Sequence, residues 1–212
     1  MTSRFPCGHY FFEVIKLKNQ KSINALTECA ILVAMSVVLS LIKLWQMPLG
    51  GGVTPVSMLP VCLVSYRHGM KWGFAASFID SLFQLLFGIT MSGLLGWGLN
   101  PQMLVGCILF DYIIAYTVLG VCGIFRKKGM VGIVAGLFIA IFLRFVSHFL
   151  SGYIIFTNLE QWDLFGSTFE NAPVLYSICY NGMYLLPEFI LTAIVVIILA
   201  KVPATRKKLF SK

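Results

Sequence analysis

The sequence predicts an all-α integral membrane protein with six transmembrane helices and both termini in the cytoplasm. Three observations support this fold class: the composition, the number of long apolar runs and the placement of the basic residues. Of the 212 residues, 58% are hydrophobic and only 11% are charged, whereas a soluble domain carries about 25% charged residues. Most of the chain lies in six long apolar runs of the kind that cross a lipid bilayer.

The basic residues indicate the orientation of the predicted spans. Fourteen of the 16 lysines and arginines lie before the first run, between the second and third, between the fourth and fifth, or after the sixth. These four places are on one side of the membrane if all six runs span it, and the opposite loops contain Glu160, Asp163 and Glu170. Lysine and arginine accumulate on the cytoplasmic side of membrane proteins. The net charge of +8 is therefore an orientation signal and not a sign of nucleic-acid binding.

Three regions follow from this division: an N-terminal cytoplasmic extension (1–21), a six-helix membrane domain (22–200) and a basic cytoplasmic tail (201–212). The extension has no signal-peptide pattern and fits either a short surface helix or a disordered tail. The chain has no P-loop motif, so it does not hydrolyse ATP by that route. Its histidines and six scattered cysteines suggest no metal site.

Span one (24–44) contains Ala30 and Ala34 four residues apart, which gives a flat strip where another helix can approach closely. Packing within the bundle is the alternative use of such a strip. The Gly- and Pro-rich segment that follows is an external loop, and its Trp45 either caps a pocket or anchors the loop at the membrane interface.

Spans two (56–66) and three (72–90) come next, and span three carries Asp80 within the membrane. We interpret Asp80 as a structural polar contact. Span four (102–124) carries Asp111 and Tyr112 about 14 Å from its outer end, at 1.5 Å per residue.

Span five (131–156) carries Arg144 and His148 one helical turn apart in its outer half. A buried arginine needs an anion, and a buried acid such as Asp111 is either the partner of an internal base or the counter-charge of a cationic ligand.

The last span begins with a polar stretch, 173–188, and continues as an apolar run to Ala200. Asn181, Tyr184 and Glu188 lie on one helical stripe, with Tyr176 beside them. Polar groups in hydrocarbon turn toward the bundle interior or a cavity. They either bond neighbouring helices together or form a wall of a binding site. The similar depth of the polar residues on spans four, five and six favours a site near the outer face.

Several stretches together resemble the thiamine-specific substrate-binding (S) component of energy-coupling factor (ECF) transporters. The first of these stretches include Glu28–Ala34 and Pro48–Thr54, and Tyr66–Gly73 follows. Asp111–Tyr112, Arg144–Gly152 and Tyr176–Glu188 complete the set, so that the resemblance covers roughly residues 22–200.

The resemblance implies the ECF S-component fold and a bacterial plasma-membrane location. It also implies thiamine as the ligand, with no cofactor, and no enzymatic activity in this chain. The implied partners are the transmembrane coupling subunit, which would dock on Ala30 and Ala34, and two ATPase subunits. The residues implied to hold thiamine are Asp111, Tyr112, His148, Tyr176 and Asn181. The predicted site also includes Arg144 where the family has a lysine, Phe156 where it has a tryptophan, and Trp45 as a candidate cap.

Two alternatives differ in the ligand or in the class of protein. One is a related S component for another flat cationic ligand, such as a thiamine precursor. The other is an intramembrane enzyme that uses His148 and Asp111 as an acid–base pair. A capture subunit releases its ligand unchanged, whereas an enzyme converts it.

Overall fold

The computed structural model describes residues 7–47, 50–156, 163–164, 167–168, 172–203 and 205. Most of the predicted tail 201–212 lies outside these residues, as do Glu160 and Glu170 of the acidic loop. The described chain is mainly helical, with two small β-hairpins. Its elements are α1 (Cys7–Leu41), β1 (Trp45–Gln46), β2 (Gly52–Val53), α2 (Met58–His68), α3 (Met70–Thr90), α4 (Pro101–Cys107), α5 (Ala115–Thr117), α6 (Gly129–Ile154), β3 (Asp163–Leu164), β4 (Ser167–Thr168) and α7 (Pro173–Lys201).

Three further helical segments are not α-helical. A 3₁₀ turn, Leu94–Gly96, follows α3. The segment Ile108–Ile114 joins α4 to α5 as a π-helix, and Val118–Lys128 continues from α5 as a 3₁₀ stretch. Residues 101–128 therefore form a helical run whose hydrogen-bonding pattern changes three times and whose backbone is kinked at Phe125, where φ is −107° and ψ is 24°.

Four helical stretches in the described part are long and apolar enough to cross a membrane: Ser22–Leu41, Met70–Thr90, Pro101–Ile154 and Pro173–Lys201. The third has 54 residues and would measure about 80 Å if straight, far more than the bilayer core of about 30 Å. It does not run straight, because the chain reverses at Gly129, where φ is 64°.

Glycines show how the two arms of this reversal meet. Gly132 lies against the backbone carbonyl of Phe125, and Gly136 lies against that of Cys122. The second contact lies farther from Gly129 than the first on both sides of the turn, so the two arms run antiparallel. A Cβ at either glycine would overlap the facing carbonyl, which is why small residues are needed at this contact.

The hairpin of α2 and α3 is built in the same way. The chain turns at Gly69 (φ 94°), and Gly73 then lies directly against Ser65. Helix α2 has only 11 residues and is about 17 Å long, so a second span must also include the non-helical residues that precede it. Pro60 lies in its first turn, where the backbone nitrogen needs no partner, so it does not kink the helix.

A mainly apolar core fills the end of the bundle near Gly129, between α2, the 3₁₀ stretch, α6 and α7. The interface between α1 and α3 combines an apolar cluster, which includes Cys29, Val33 and Ala76, with a buried polar group. It contains Asp80, which is 1% exposed and lies near Ser36, Ser77 and Gln84. Asp80 thus has the predicted structural placement, although its Oδ1 has no hydrogen-bond partner among the described residues.

The basic turns come together at one end of the bundle. The Tyr66 hydroxyl donates to the carbonyl of Gly129 at 2.7 Å, which joins the α2–α3 turn to the Gly129 turn. Glu28 of α1 forms an ion pair with Arg67 and a 3.1 Å hydrogen bond with His68. The opposite end contains the hairpin β1–β2, the turn Leu94–Gly96 and the start of α7.

Candidate ligand-binding site

A cavity of about 1000 Å³, counted with its open mouth, lies toward the end of the bundle opposite the basic turns. Parts of α3, the run 101–128, α6 and α7 form its walls, and the segment 50–52 reaches over it. The residues that line it are Ser40, Lys43, Gly50, Gly51, Gly52, Thr54, Ser57, Gln84, Trp97, Asp111, Tyr112, Tyr116, Arg144, His148, Gly152, Phe156, Tyr176, Ser177, Tyr180, Asn181, Tyr184 and Glu188.

Almost all of the residues proposed from the sequence meet in this cavity. Seven of the eight are among its lining residues, namely Asp111, Tyr112, Arg144, His148, Phe156, Tyr176 and Asn181. Trp45 is not one of them; it lies in β1 with 39% of its surface exposed. Trp97 lines the cavity instead, with its ring centroid 6.2 Å from that of Phe156. The position of Trp45 favours an interfacial anchor over a cap.

Asp111 lies in the middle of the π-helical segment Ile108–Ile114. Segments of this kind are rare and occur frequently at functional sites. The Asp111 carboxylate makes hydrogen bonds through both oxygens. Oδ1 is 2.8 Å from His148 Nδ1, and Oδ2 accepts from the Ser151 hydroxyl and, at 3.2 Å, from the Cys107 thiol.

His148 connects Asp111 to Arg144. Its Nε2 lies 3.3 Å from the Nε of Arg144, which donates to it. Since Nε2 accepts, Nδ1 carries the proton and donates to Asp111. The three side chains therefore form a chain of hydrogen bonds across the cavity wall, and the tautomer of the imidazole is fixed by both neighbours.

Arg144 is 5% exposed, yet among the described residues it has no carboxylate within 4.0 Å. Its guanidinium carbon lies 4.1 Å from the ring centroid of Tyr116, and Nη1 contacts the sulfur of Met58 at 2.7 Å. A cation over an aromatic face is stabilised by the ring electrons. Asp111 is thus connected to Arg144 through His148, and Glu188 and Asp80 lie close enough to attract the guanidinium without contacting it.

Helix α7 contributes an aromatic and amide wall. The Tyr184 hydroxyl donates to Asn181 Oδ1 at 3.0 Å, and Asn181 Nδ2 donates to the carbonyl of Ser177 at 2.9 Å. The rings of Tyr176 and Tyr180 stack with centroids 5.9 Å apart, and Tyr184 meets His148 edge-on at 6.0 Å. A flat ligand ring would find both stacking faces and amide groups here.

Glu188 forms the polar floor of the cavity, two helical turns from Asn181. It is 2% exposed, and its Oε1 accepts from Thr54 and, more weakly, from Ser57 at 3.4 Å. Lys43 also lines the cavity. The two acids Asp111 and Glu188 and the two bases Lys43 and Arg144 give the lining a formal charge of zero.

Sequence reasoning omitted several of these lining residues from the proposed site. Lys43 could have been identified from the sequence, since Lys43 and Arg144 are the two basic residues that lie outside the four basic regions. Glu188 and Tyr184 were visible as members of the α7 stripe. For Tyr116 there was no signal, because one aromatic residue in an apolar span has no feature that distinguishes it from a residue of the core.

The helical bundle with a polar cavity near one end defines the class of the protein: an integral membrane protein with a cavity of ligand size between its helices. Residues 26–208 match the family described as thiamine transporter protein. The chain belongs to this family, and its role is in transport and not in catalysis.

Two relatives illustrate the family relationship. The chain is 30% identical over 198 residues to the thiamine transporter ThiT of Bacillus subtilis, with 86% of this chain and 93% of that protein covered. A solved structure of ThiT from Listeria monocytogenes is similar in fold, with a TM-score of 0.68 and 23% identity. The superposition covers 90% of this chain and 98% of the other.

Proposed function

We propose that this chain is the high-affinity thiamine-binding subunit of an ECF-type importer. It captures thiamine from outside the cell and delivers it through a module made of a transmembrane coupling subunit and two ATPases. The observation that carries the proposal is the convergence of Asp111, Tyr112, His148, Tyr176 and Asn181 on one cavity in a member of the thiamine transporter family.

The chemistry of the cavity supports thiamine as the ligand. Thiamine has a permanently positive thiazolium ring and a flat aminopyrimidine. The carboxylate of Asp111 supplies a counter-charge in a site of low dielectric constant, where a single charge pair is strong. Asn181 and His148 offer donors and acceptors to the pyrimidine, and the tyrosines of α7 offer stacking faces.

We further propose a topology of six membrane spans with both termini in the cytoplasm of a bacterial cell. The reversals at Gly69 and Gly129 support it, since each joins two antiparallel helical arms. The gathering of Arg67, Arg126 and their basic neighbours at one end supports it as well. In this topology the cavity lies in the outer half of the membrane, open to the ligand.

The strip of Ala30 and Ala34 is proposed as the docking face for the coupling subunit. Both residues are exposed on the outside of α1, while Cys29 and Val33 beside them are buried against the bundle. Their exposure argues against the alternative that the strip packs within this chain. Small residues on a lipid-facing surface allow a partner helix to come close.

The test is a titration of the purified protein with thiamine in the absence of partners and ATP, in which binding is measured as quenching of tryptophan fluorescence. Trp97 lines the cavity and provides the signal. We expect tight saturable binding at one site per chain, because the walls are largely preformed and ordering costs are small. Absence of binding would contradict the proposal.

Mass spectrometry of small molecules that co-purify with the protein identifies the ligand independently. Unchanged thiamine supports the capture subunit, a different cationic ring compound supports a related S component, and a converted product supports an enzyme.

A further inference from the structure

The carboxylate of Asp111 receives a second set of hydrogen bonds on the side away from His148. Ser151 Oγ and Cys107 Sγ both donate to Oδ2, and both residues are fully buried with 0% exposure. Neither residue lines the cavity. They do not touch a ligand there, and their contact is with the acid that faces it.

Ser151 lies on the same face of α6 as His148, three residues further along. One helix therefore supplies a donor to each oxygen of the same carboxylate, His148 to Oδ1 and Ser151 to Oδ2. Two donors on opposite oxygens fix the rotation of the carboxylate plane. A single donor would leave the group free to turn about its last side-chain bond, which is a soft torsion.

We infer that Ser151 is a positioning residue that sets the orientation of the Asp111 carboxylate and thereby the affinity of the site for a cationic ligand. This inference rests on the proposed thiamine function. Cys107 is a weaker contributor, because a thiol is a poor hydrogen-bond donor compared with a hydroxyl. The pre-oriented carboxylate strengthens charge recognition without any contact between Ser151 and the ligand.

The neighbouring Ser147 offers a matched control. It lies one turn earlier on α6, is buried, and donates to the backbone carbonyl of Phe110 at 2.6 Å. Ser147 and Ser151 thus both connect α6 to the π-helical segment, and their acceptors are the consecutive residues Phe110 and Asp111. Only Ser151 binds the carboxylate, so a purely structural role would make the two serines equivalent.

The experiment compares S151A, S147A and S151T by thiamine titration and thermal unfolding of the full-length protein. We expect S151A to lose about tenfold in thiamine affinity, as for a hydrogen bond to a charged group, and S147A to stay within about twofold. The melting temperatures of S151A and S147A should fall by similar amounts. S151T, which keeps the hydroxyl, should restore most of the affinity.

A second ligand separates orientation of charge from general damage to the cavity. A neutral thiamine analogue, in which an uncharged ring replaces the thiazolium, should lose less affinity than thiamine on going from wild type to S151A. Equal losses in S151A and S147A, or equal losses for both ligands, would overturn the role of Ser151 while leaving thiamine binding intact. If S151A is too unstable to purify, S151C provides the same comparison with a weak donor of similar size. Failure of the wild-type protein to bind thiamine would overturn the proposed function and this inference together.

Discussion

Asp111 is held by groups on two sides and still faces the cavity. Its donors are all neutral: an imidazole, a hydroxyl and a thiol. Neutral donors orient a carboxylate without cancelling its charge, so the negative charge remains for a ligand cation. Arg144 could have cancelled it through a direct ion pair, but His148 stands between the two side chains.

We expect D111N to weaken thiamine binding by about 10- to 100-fold, the range for loss of a charged interaction in a buried site. The neutral thiamine analogue should lose much less, because the asparagine keeps an acceptor for His148. Parallel titrations of the two ligands with wild type and D111N measure this difference.

E188Q is the matched variant for this experiment. It removes the same formal charge from the same cavity, at the floor and not beside His148. A loss in E188Q equal to that in D111N would indicate that total charge matters and position does not. Equal losses of the two ligands in D111N would assign Asp111 to the hydrogen-bond chain with Arg144 and not to the ligand.

At the residue level the sequence predicted that these polar side chains meet, because depth in a membrane can be counted. Asp111, His148 and Asn181 lie at similar distances from the outer ends of their spans, and a rise of 1.5 Å per residue converts this into a shared layer. Loop residues have no such measure. Trp45 and Trp97 lie in two Gly-rich loops of similar composition, and the sequence does not tell which of them reaches the cavity.

Helix α1 has two different faces. Its inner face includes Cys29, Val33 and Ser36, which are buried against the bundle. Its outer face includes Ala30 and Ala34, together with larger apolar side chains that are more than half exposed, such as Leu26, Ile31 and Val38. Because alanine side chains are short, the surface of α1 is lower at Ala30 and Ala34 than at the larger side chains around them.

We expect A30W and A34W to block assembly with the coupling subunit, since a large side chain prevents close helix approach. Thiamine affinity should stay within about threefold, or about 0.7 kcal/mol, because neither alanine lines the cavity. A pull-down of the coupling subunit and a thiamine titration on the same variant measure both effects.

M35W serves as the control for this pair. Met35 is 49% exposed on α1 and already has a large side chain. It follows Ala34 in the sequence, so its side chain points about 100° away from that of Ala34 around the helix axis. M35W should therefore assemble normally. Normal assembly of A30W and A34W would show that the strip is not the docking face, and loss of both assembly and thiamine binding would indicate a folding defect.

Helical elements were predictable from apolar length, but their internal geometry was not. The sequence predicts span four as a regular helix over 102–124, whereas the structure has α-, π- and 3₁₀-helical segments from Pro101 to Lys128. These forms differ by one residue in hydrogen-bond spacing, and an apolar run has no periodic polar pattern that would reveal it. The hairpin β1–β2 was also missed, because two-residue strands are too short to show alternation.

Across the whole molecule, close approach of helices depends on glycine. Gly73 and Gly123 lie against Ser65, and Gly120 lies against Phe74. These contacts join α2, α3 and the run 101–128 with almost no intervening side chain. Lipid tails provide no hydrophobic force between helices, so tight backbone packing is the main source of association.

The six-span topology can be tested by labelling introduced cysteines in a variant whose native cysteines are replaced. We expect G96C to react with a membrane-impermeant reagent added from outside, since no atom lies within 4 Å of a Cβ at Gly96. We expect K127C, exposed at the opposite end of the bundle, to react only after the membrane is permeabilised. Labelling of K127C in intact cells would contradict the topology.

The π-helical segment Ile108–Ile114 also affects which changes in chain length this region can accept. Its turns hold one residue more than α-helical turns do, so the segment absorbs a residue that a regular helix could not. Deleting one of its apolar residues would allow the run to close up as an α-helix. Because the π-helical turn has absorbed that residue, the segments before and after it would keep nearly the same relative orientation. A one-residue gap in a sequence alignment at this point would therefore indicate a changed backbone around Asp111 within an otherwise unchanged bundle.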